Sequence, residues 1–215
     1  MENILQIDSV LKKFGDKTIL SDIFLEVKTN EIVGIVGRNG CGKSTFLKIL
    51  FGIESAQNCF IRYNNQPIKK PYKINDLIAY SSQKNIFPKN TTPKKIIELS
   101  TFEDVTVDFD IFFKKILHTK IDDLSGGEKK LLQTFIVLNS KAKFILLDEP
   151  FSGLSPLMIE ELKNVIIEKS KSKGIILCDH LYHEILDLST KTYLLKNTAI
   201  KQIKSIDDLS FHGYI

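Results

Sequence analysis

Residues 32–36 read Ile-Val-Gly-Ile-Val, and the chain continues Gly37-Arg38-Asn39-Gly40-Cys41-Gly42-Lys43-Ser44. An unbroken apolar run this short, bounded by polar residues, is the pattern of a strand buried on both faces. The loop after it matches GxxxxGK[ST], a phosphate-cradling pattern in which free backbone N–H groups at a helix start bind anionic oxygens. Glycines at 37, 40 and 42 let the main chain bend where a Cβ would clash. Lys43 can reach the outer phosphates of a triphosphate, the Ser44 hydroxyl suits Mg²⁺, and Thr45 can add a phosphate contact. Few folds accommodate a buried strand, a tight glycine loop and a helix in immediate succession, and a parallel α/β sheet is the usual one.

The remaining pattern agrees with that class. Strands are expected over 4–12, 19–27, 60–63 and 77–81, and a helix over about 42–50. Residues 84–125 change character. Pro88 and Pro93 precede apolar residues at helical spacing (Ile96, Ile97 and Leu99, then Ile111, Phe112, Phe113, Ile116 and Leu117), which reads as a small helical insertion. Beyond it, helix and strand alternate: helix 126–140, strand 144–148, helix 156–169 capped by Ser155 and opened by Pro156, strand 174–178, a short helix to 187, and strand 193–195. Strands joined by helices of this length imply right-handed parallel βαβ units.

Composition removes several classes of function. The chain has 215 residues, 43% of them hydrophobic and 26% charged. That suits one domain with at most a small insertion, able to bury a core without cross-links. The net charge of +4 is slight, and only Arg38 and Arg62 are arginines. Readers of nucleic acid lean on arginine forks, so no nucleic-acid partner is expected. The three cysteines are scattered, which fits reduced thiols rather than disulfides or a zinc site. The opening MENILQIDSV lacks the basic start and apolar run of a secretory leader, and the final HGYI is no lipidation signal. No apolar stretch is long enough to span a bilayer. If the chain works at a membrane, a partner brings it there.

A metal-bound phosphate needs a second acidic anchor. Phe144-Ile145-Leu146-Leu147-Asp148-Glu149 supplies it at the end of an apolar strand, where parallel sheets present their ligand sites. Asp148 is placed to hold Mg²⁺, and Glu149 to polarise an attacking water. Leu124-Ser125-Gly126-Gly127-Glu128 adds a capping box, Ser125 with Glu128, around a Gly-Gly pair that exposes the first amides of a helix. It is a second anion cradle, with no lysine of its own.

Together with the phosphate loop and the Asp148-Glu149 pair, this LSGGE resembles the signature of the ATP-binding cassette family, and the resemblance covers essentially the whole chain. It implies a P-loop NTPase with a RecA-like α/β core and an N-terminal antiparallel β subdomain (1–83 and 126–215), and a small helical subdomain over 84–125. It implies ATP and Mg²⁺ as ligands. The permease would be a separate transmembrane subunit on whose cytoplasmic face the chain sits. A second copy would lie head to tail with the first, so that each ATP rests between one P-loop and the other copy's Ser125, Gly126 and Gly127. By the same resemblance Phe14 stacks on adenine, Gln83 touches Mg²⁺ and the attacking water, and His180, in Ile-Leu-Cys-Asp-His, contacts the γ-phosphate. Two departures stand out. Ser155 occupies a position where the family usually carries aspartate, and the span from Gln83 to Ser125 is short. The alternatives are a soluble cassette ATPase of cofactor assembly or DNA repair, a small-molecule P-loop kinase, and a non-catalytic regulatory cassette. The kinase would lack LSGGE, and Lys43, Asp148, Glu149 and His180 argue against the last.

Overall fold

A computed structural model describes residues 2–84, 86–100 and 116–215. Two sheets organise it. The first is antiparallel, in the order β2-β1-β4-β5, from β1 (Ile4–Phe14), β2 (Lys17–Lys28), β4 (Asn58–Tyr63) and β5 (Gln66–Ile68). The second has six strands in the order β10-β9-β3-β8-β7-β6. They are β3 (Glu31–Val36), β6 (Ile78–Ser81), β7 (Phe144–Asp148), β8 (Gly174–Asp179), β9 (Lys191–Lys196) and β10 (Ala199–Ile203). Every pairing in it is parallel except the β9–β10 hairpin at one edge.

The strands read as continuous apolar runs, β7 and β8, are buried at every residue, as strands covered on both faces must be. Their side chains alternate between two cores. Val33, Ile35, Leu146 and Ile176 join the core shared with the antiparallel sheet and with α1 (Lys43–Phe51), through Phe46, Leu47 and Leu50. Ile32, Val36, Ile145, Leu147, Ile175 and Leu177 join the opposite core. There the cover is α3 (Gly126–Leu138), α4 (Pro156–Ser170) and α5 (Tyr182–Leu188).

Ser155 caps α4, its Oγ accepting from the Met158 N–H at 3.4 Å, with Pro156 in the first turn. Within the segment read as a helical insertion, α2 (Pro93–Leu99) is capped by Thr92. The expectation for Ile111, Phe112 and Phe113 lies outside the described residues. The strands 4–12 and 19–27 extend a few residues beyond the expected limits, because β1 and β2 pair down to Phe14↔Lys17. Three elements carry no apolar pattern that marks them in sequence: β5, β10 and α6 (Ile206–Phe211). Both hairpins involved turn on residues of positive φ, Asn64-Asn65 and Asn197-Thr198, the geometry that matches strand twist.

Candidate functional site

The carboxyl ends of β3, β6, β7 and β8 converge on the loop 37–42. Gly40 and Gly42 have φ of 79° and 113° there, values that a side chain tolerates poorly. Gly37 is needed for a different reason, since a Cβ on it would lie 2.8 Å from the Leu195 carbonyl. Gly42 caps α1 without any side-chain hydrogen bond, so the first amides of the helix stay open to an anion. Lys43 is buried, and its ammonium donates to the carbonyls of Gly37 (2.5 Å) and Arg38 (3.3 Å), folding the loop around itself.

An open cleft of about 490 Å³ lies over this loop. It is lined by Phe14, Ile19, Asn39, Gly40, Gly42, Lys43, Ser44, Thr45, Gln83 and Glu149. Phe14 ends β1 half exposed, with the Lys12 ammonium 4.5 Å from its ring centroid. Asp148 is fully buried at the end of β7, and each of its oxygens has a partner. Oδ1 accepts from the Ser44 hydroxyl and Oδ2 from the Tyr80 phenol, both at 2.9 Å, while the main-chain carbonyl accepts from Lys130. Burial and the Asp148 carboxylate push the Tyr80 phenol far up, so it stays a donor.

Glu149 turns sharply out of β7. Its φ is 50°, held by its N–H bond to the Cys178 carbonyl at 2.7 Å. A left-handed residue of this type costs about 1–2 kcal/mol, and the fold pins it where its carboxylate accepts from Gln83 Nε2 at 2.9 Å. Hard oxygen donors of Ser44 and Asp148, already within 2.9 Å of each other, fit Mg²⁺.

Some nominated residues lie elsewhere. Arg38 and Cys41 face a separate cavity of about 180 Å³ with Leu195, Lys196, Asn197 and Tyr214, so any contact they make with phosphate comes from their main chain. His180 does not line the cleft. Its side chain is 42% exposed, with Nδ1 3.3 Å from Asp179 Oδ1. Ser125, Gly126 and Gly127 open α3, also outside the cleft. The capping box is complete there: Glu128 N–H donates to Ser125 Oγ (3.2 Å), and Ser125 N–H to Glu128 Oε2 (2.7 Å). Gly126 faces open space, whereas a Cβ on Gly127 would meet the Gly153 carbonyl at 2.4 Å. Ser125 and Gly126 are exposed.

Three residues escaped the sequence reading. Tyr80 and Lys130 hold Asp148, as described. Asp179 is fully buried, accepts main-chain N–H bonds from Phe151, His180 and Leu181, and so fixes the loop after β7 to the start of the His180 loop. Burial pushes its carboxyl up, against those hydrogen bonds. Only Asp179 carried a signal, as the polar end of an apolar strand next to a nominated histidine.

The family model described as ABC transporter matches residues 20–152. A spermidine/putrescine import ATP-binding protein of Clostridium novyi is 31% identical over 97% of this chain, which spans 64% of that protein. A lipopolysaccharide export system ATP-binding protein of Haemophilus influenzae is 29% identical over 90% of this chain and 87% of its own length. Among solved structures, an ATP-binding subunit of an ABC transporter superposes with a TM-score of 0.81 at 20% identity, over 98% of this chain and 93% of that one.

Proposed function

The chain belongs to the ABC transporter family as an ATP-binding subunit whose ATP hydrolysis is coupled to transport, and we propose that it drives a separate transmembrane permease through closure of a dimer of ATPase subunits. The observation that carries the reading is the convergence of two pairs, Ser44–Asp148 and Gln83–Glu149, on the cleft that Lys43 underlies.

In this mechanism adenine stacks on Phe14, whose exposed ring offers a π face. The amides at the start of α1 and the main chain of 37–42 cradle the phosphates. Lys43 exchanges its carbonyl partners for the β- and γ-phosphates, a stronger, charge-assisted bond. Ser44 and Asp148 would hold Mg²⁺, with Gln83 beside them, and the ion would supply neutralisation of charge between the phosphates. Glu149 takes a proton from the attacking water, and Gln83 orients both. His180 donates to the γ-phosphate from the end of β8.

Ser125, Gly126 and Gly127 serve the ATP held by the second copy. Nucleotide bound between two subunits favours only their closed arrangement, and so shifts that equilibrium by its differential affinity. Among the described residues no helix is long and apolar enough to cross a membrane. In this reading a permease holds the chain at the cytoplasmic face of the membrane. A largely apolar groove of about 320 Å³ beside Ser82, lined by Ile86, Phe87, Pro88, Ile96, Ile136 and Val137, suits its docking segment. A relative named for import and another named for export match this chain about equally, so neither cargo nor direction is assigned.

Glu149→Gln tests the reading. The amide keeps shape and hydrogen bonding but accepts no proton from water. ATP binding is expected to persist, turnover to vanish, and size-exclusion chromatography with light scattering to show an ATP-dependent dimer. Wild-type turnover in this variant overturns the assignment.

A further inference from the structure

Lysine is almost never fully buried without an ionic partner, yet Lys130, in the second turn of α3, is 3% exposed. Its ammonium donates to two main-chain carbonyls, those of Asp148 (2.5 Å) and Ser82 (3.0 Å). Each carbonyl stands one residue before a member of the hydrolytic pair, Glu149 and Gln83, whose side chains meet at 2.9 Å. A single cation thus joins three elements: the helix that begins at Ser125, the end of β7, and the loop after β6. Gln133 reinforces one arm, its Nε2 donating to the same Ser82 carbonyl at 2.8 Å.

Packing does not require a charge at this position, since an apolar side chain of equal length fills the volume without desolvating an ammonium. That desolvation lowers the Lys130 pKa to about 8. The groups facing it are Asp148 and Glu149 at the end of β7 and Asp179 at the end of β8, all of which favour the charged form. Tyr80 on β6 acts through its bond to Asp148, and the loop after β6 offers the Ser82 carbonyl and neutral Gln83.

We propose that Lys130 is a positioning residue for hydrolysis: by clamping the Asp148 and Ser82 carbonyls to α3, it holds Glu149 and Gln83 in register and ties their geometry to the placement of the helix that carries Ser125. The proposal rests on the roles given above to Glu149 and Gln83.

The test compares full-length wild type, Lys130→Met, Lys130→Arg and Glu149→Gln in Mg-ATP turnover and in equilibrium binding of ATP. In Lys130→Met, kcat is expected to fall by about tenfold or more, since small misplacements of reacting groups are that costly, while KM and ATP affinity stay at wild-type values. Lys130→Arg, which keeps a cation able to donate to both carbonyls, should recover most of kcat. A kcat for Lys130→Met within about twofold of wild type overturns the proposal. If Lys130→Met does not fold, Lys130→Gln decides: a kcat reduced about tenfold at unchanged ATP affinity supports the clamp, and one within about twofold of wild type overturns it. Glu149→Gln separates this inference from its premise. If that variant still hydrolyses ATP, the reading of the pair fails; if it is inactive while Lys130→Met is fully active, only the clamp fails.

Discussion

The starts of α1 and α3 are both glycine-rich, yet the fold treats them differently. Around the first, most functional groups already have partners in the same chain. Lys43 sits on the Gly37 and Arg38 carbonyls, Ser44 on Asp148, and Gln83 and Glu149 close the side of the cleft. Around the second, Ser125 and Glu128 are occupied with each other, and a Cβ on Gly126 would meet nothing within 4 Å. Its two lysines differ from Lys43: Lys130 points inward to Asp148 and Ser82, and Lys129 donates to the Asp122 carbonyl. An exposed cradle with no buried cation beneath it gains little from binding a free anion in water, because hydration competes. It gains when a second surface brings the anion and excludes the water. The asymmetry is the physical argument for a composite site.

The comparison breaks most visibly at Lys43. Lys43→Ala removes the buried side-chain cation beneath the cleft, and truncating a buried member of a charge pair costs about 3 kcal/mol, or about a hundredfold in affinity. Calorimetric titration with ATP measures it, and near-normal affinity would refute the lysine's role.

Ser125→Arg tests the other cradle by filling it with a bulky cation. Neither this variant nor Lys43→Ala should occlude ATP alone. Mixed, they form heterodimers in which both lesions fall in one site and the other site is intact. Tagged subunits pulled down with labelled ATP should then show binding absent from either parent. With heterodimers demonstrated and no such gain, Ser125 would serve its own subunit.

Neighbouring glycines sharpen the contrast further. Gly127→Ala drives a Cβ to 2.4 Å from the Gly153 carbonyl, an overpacking worth about 1–3 kcal/mol. Gly126→Ala adds a methyl in open space at a helix start, where alanine is favoured by about 0.5–1 kcal/mol. Thermal melts should therefore move in opposite directions, down by several degrees and slightly up. A fall of equal size in both would mean that the Gly153 contact is not what selects glycine.

Ser155→Asp has the smallest expected effect on the fold. Aspartate caps a helix as well as serine does, so stability should hold within about 0.5 kcal/mol. A carboxylate at this position, where the family usually carries aspartate, is expected to raise ATP-dependent dimerisation modestly, as followed by light scattering. Unchanged dimerisation would make the serine a cap and nothing more.

Much of the fold was legible because its signals are local. The runs at 32–36 and 144–148, the capping box at Ser125 and the Ser155-Pro156 start each depend on residues within a few positions of one another. The alternation of helix and strand then leaves few right-handed topologies open. The β9–β10 hairpin and α6 were not legible. β10 has a single buried residue, Ile203, and α6 a single one, Leu209, so neither shows a face in sequence.

The candidate site divides along the same line. The glycine loop before α1, the acidic pair after β7 and the helix start at Ser125 are readable from the chain alone, because each chemistry needs its residue types at fixed short spacing. Folding is what turns Arg38 and Cys41 away from the cleft, bends Glu149 to φ 50° toward Gln83, and brings Tyr80, Lys130 and Asp179 to the acidic end of the sheet. Those partners come from strands and helices far apart in the chain, Tyr80 and Asp148 being separated by 68 positions. A tyrosine in a short strand and a lysine in a helix look like ordinary surface residues until packing removes the water around them, and then each must find an acceptor in the folded chain.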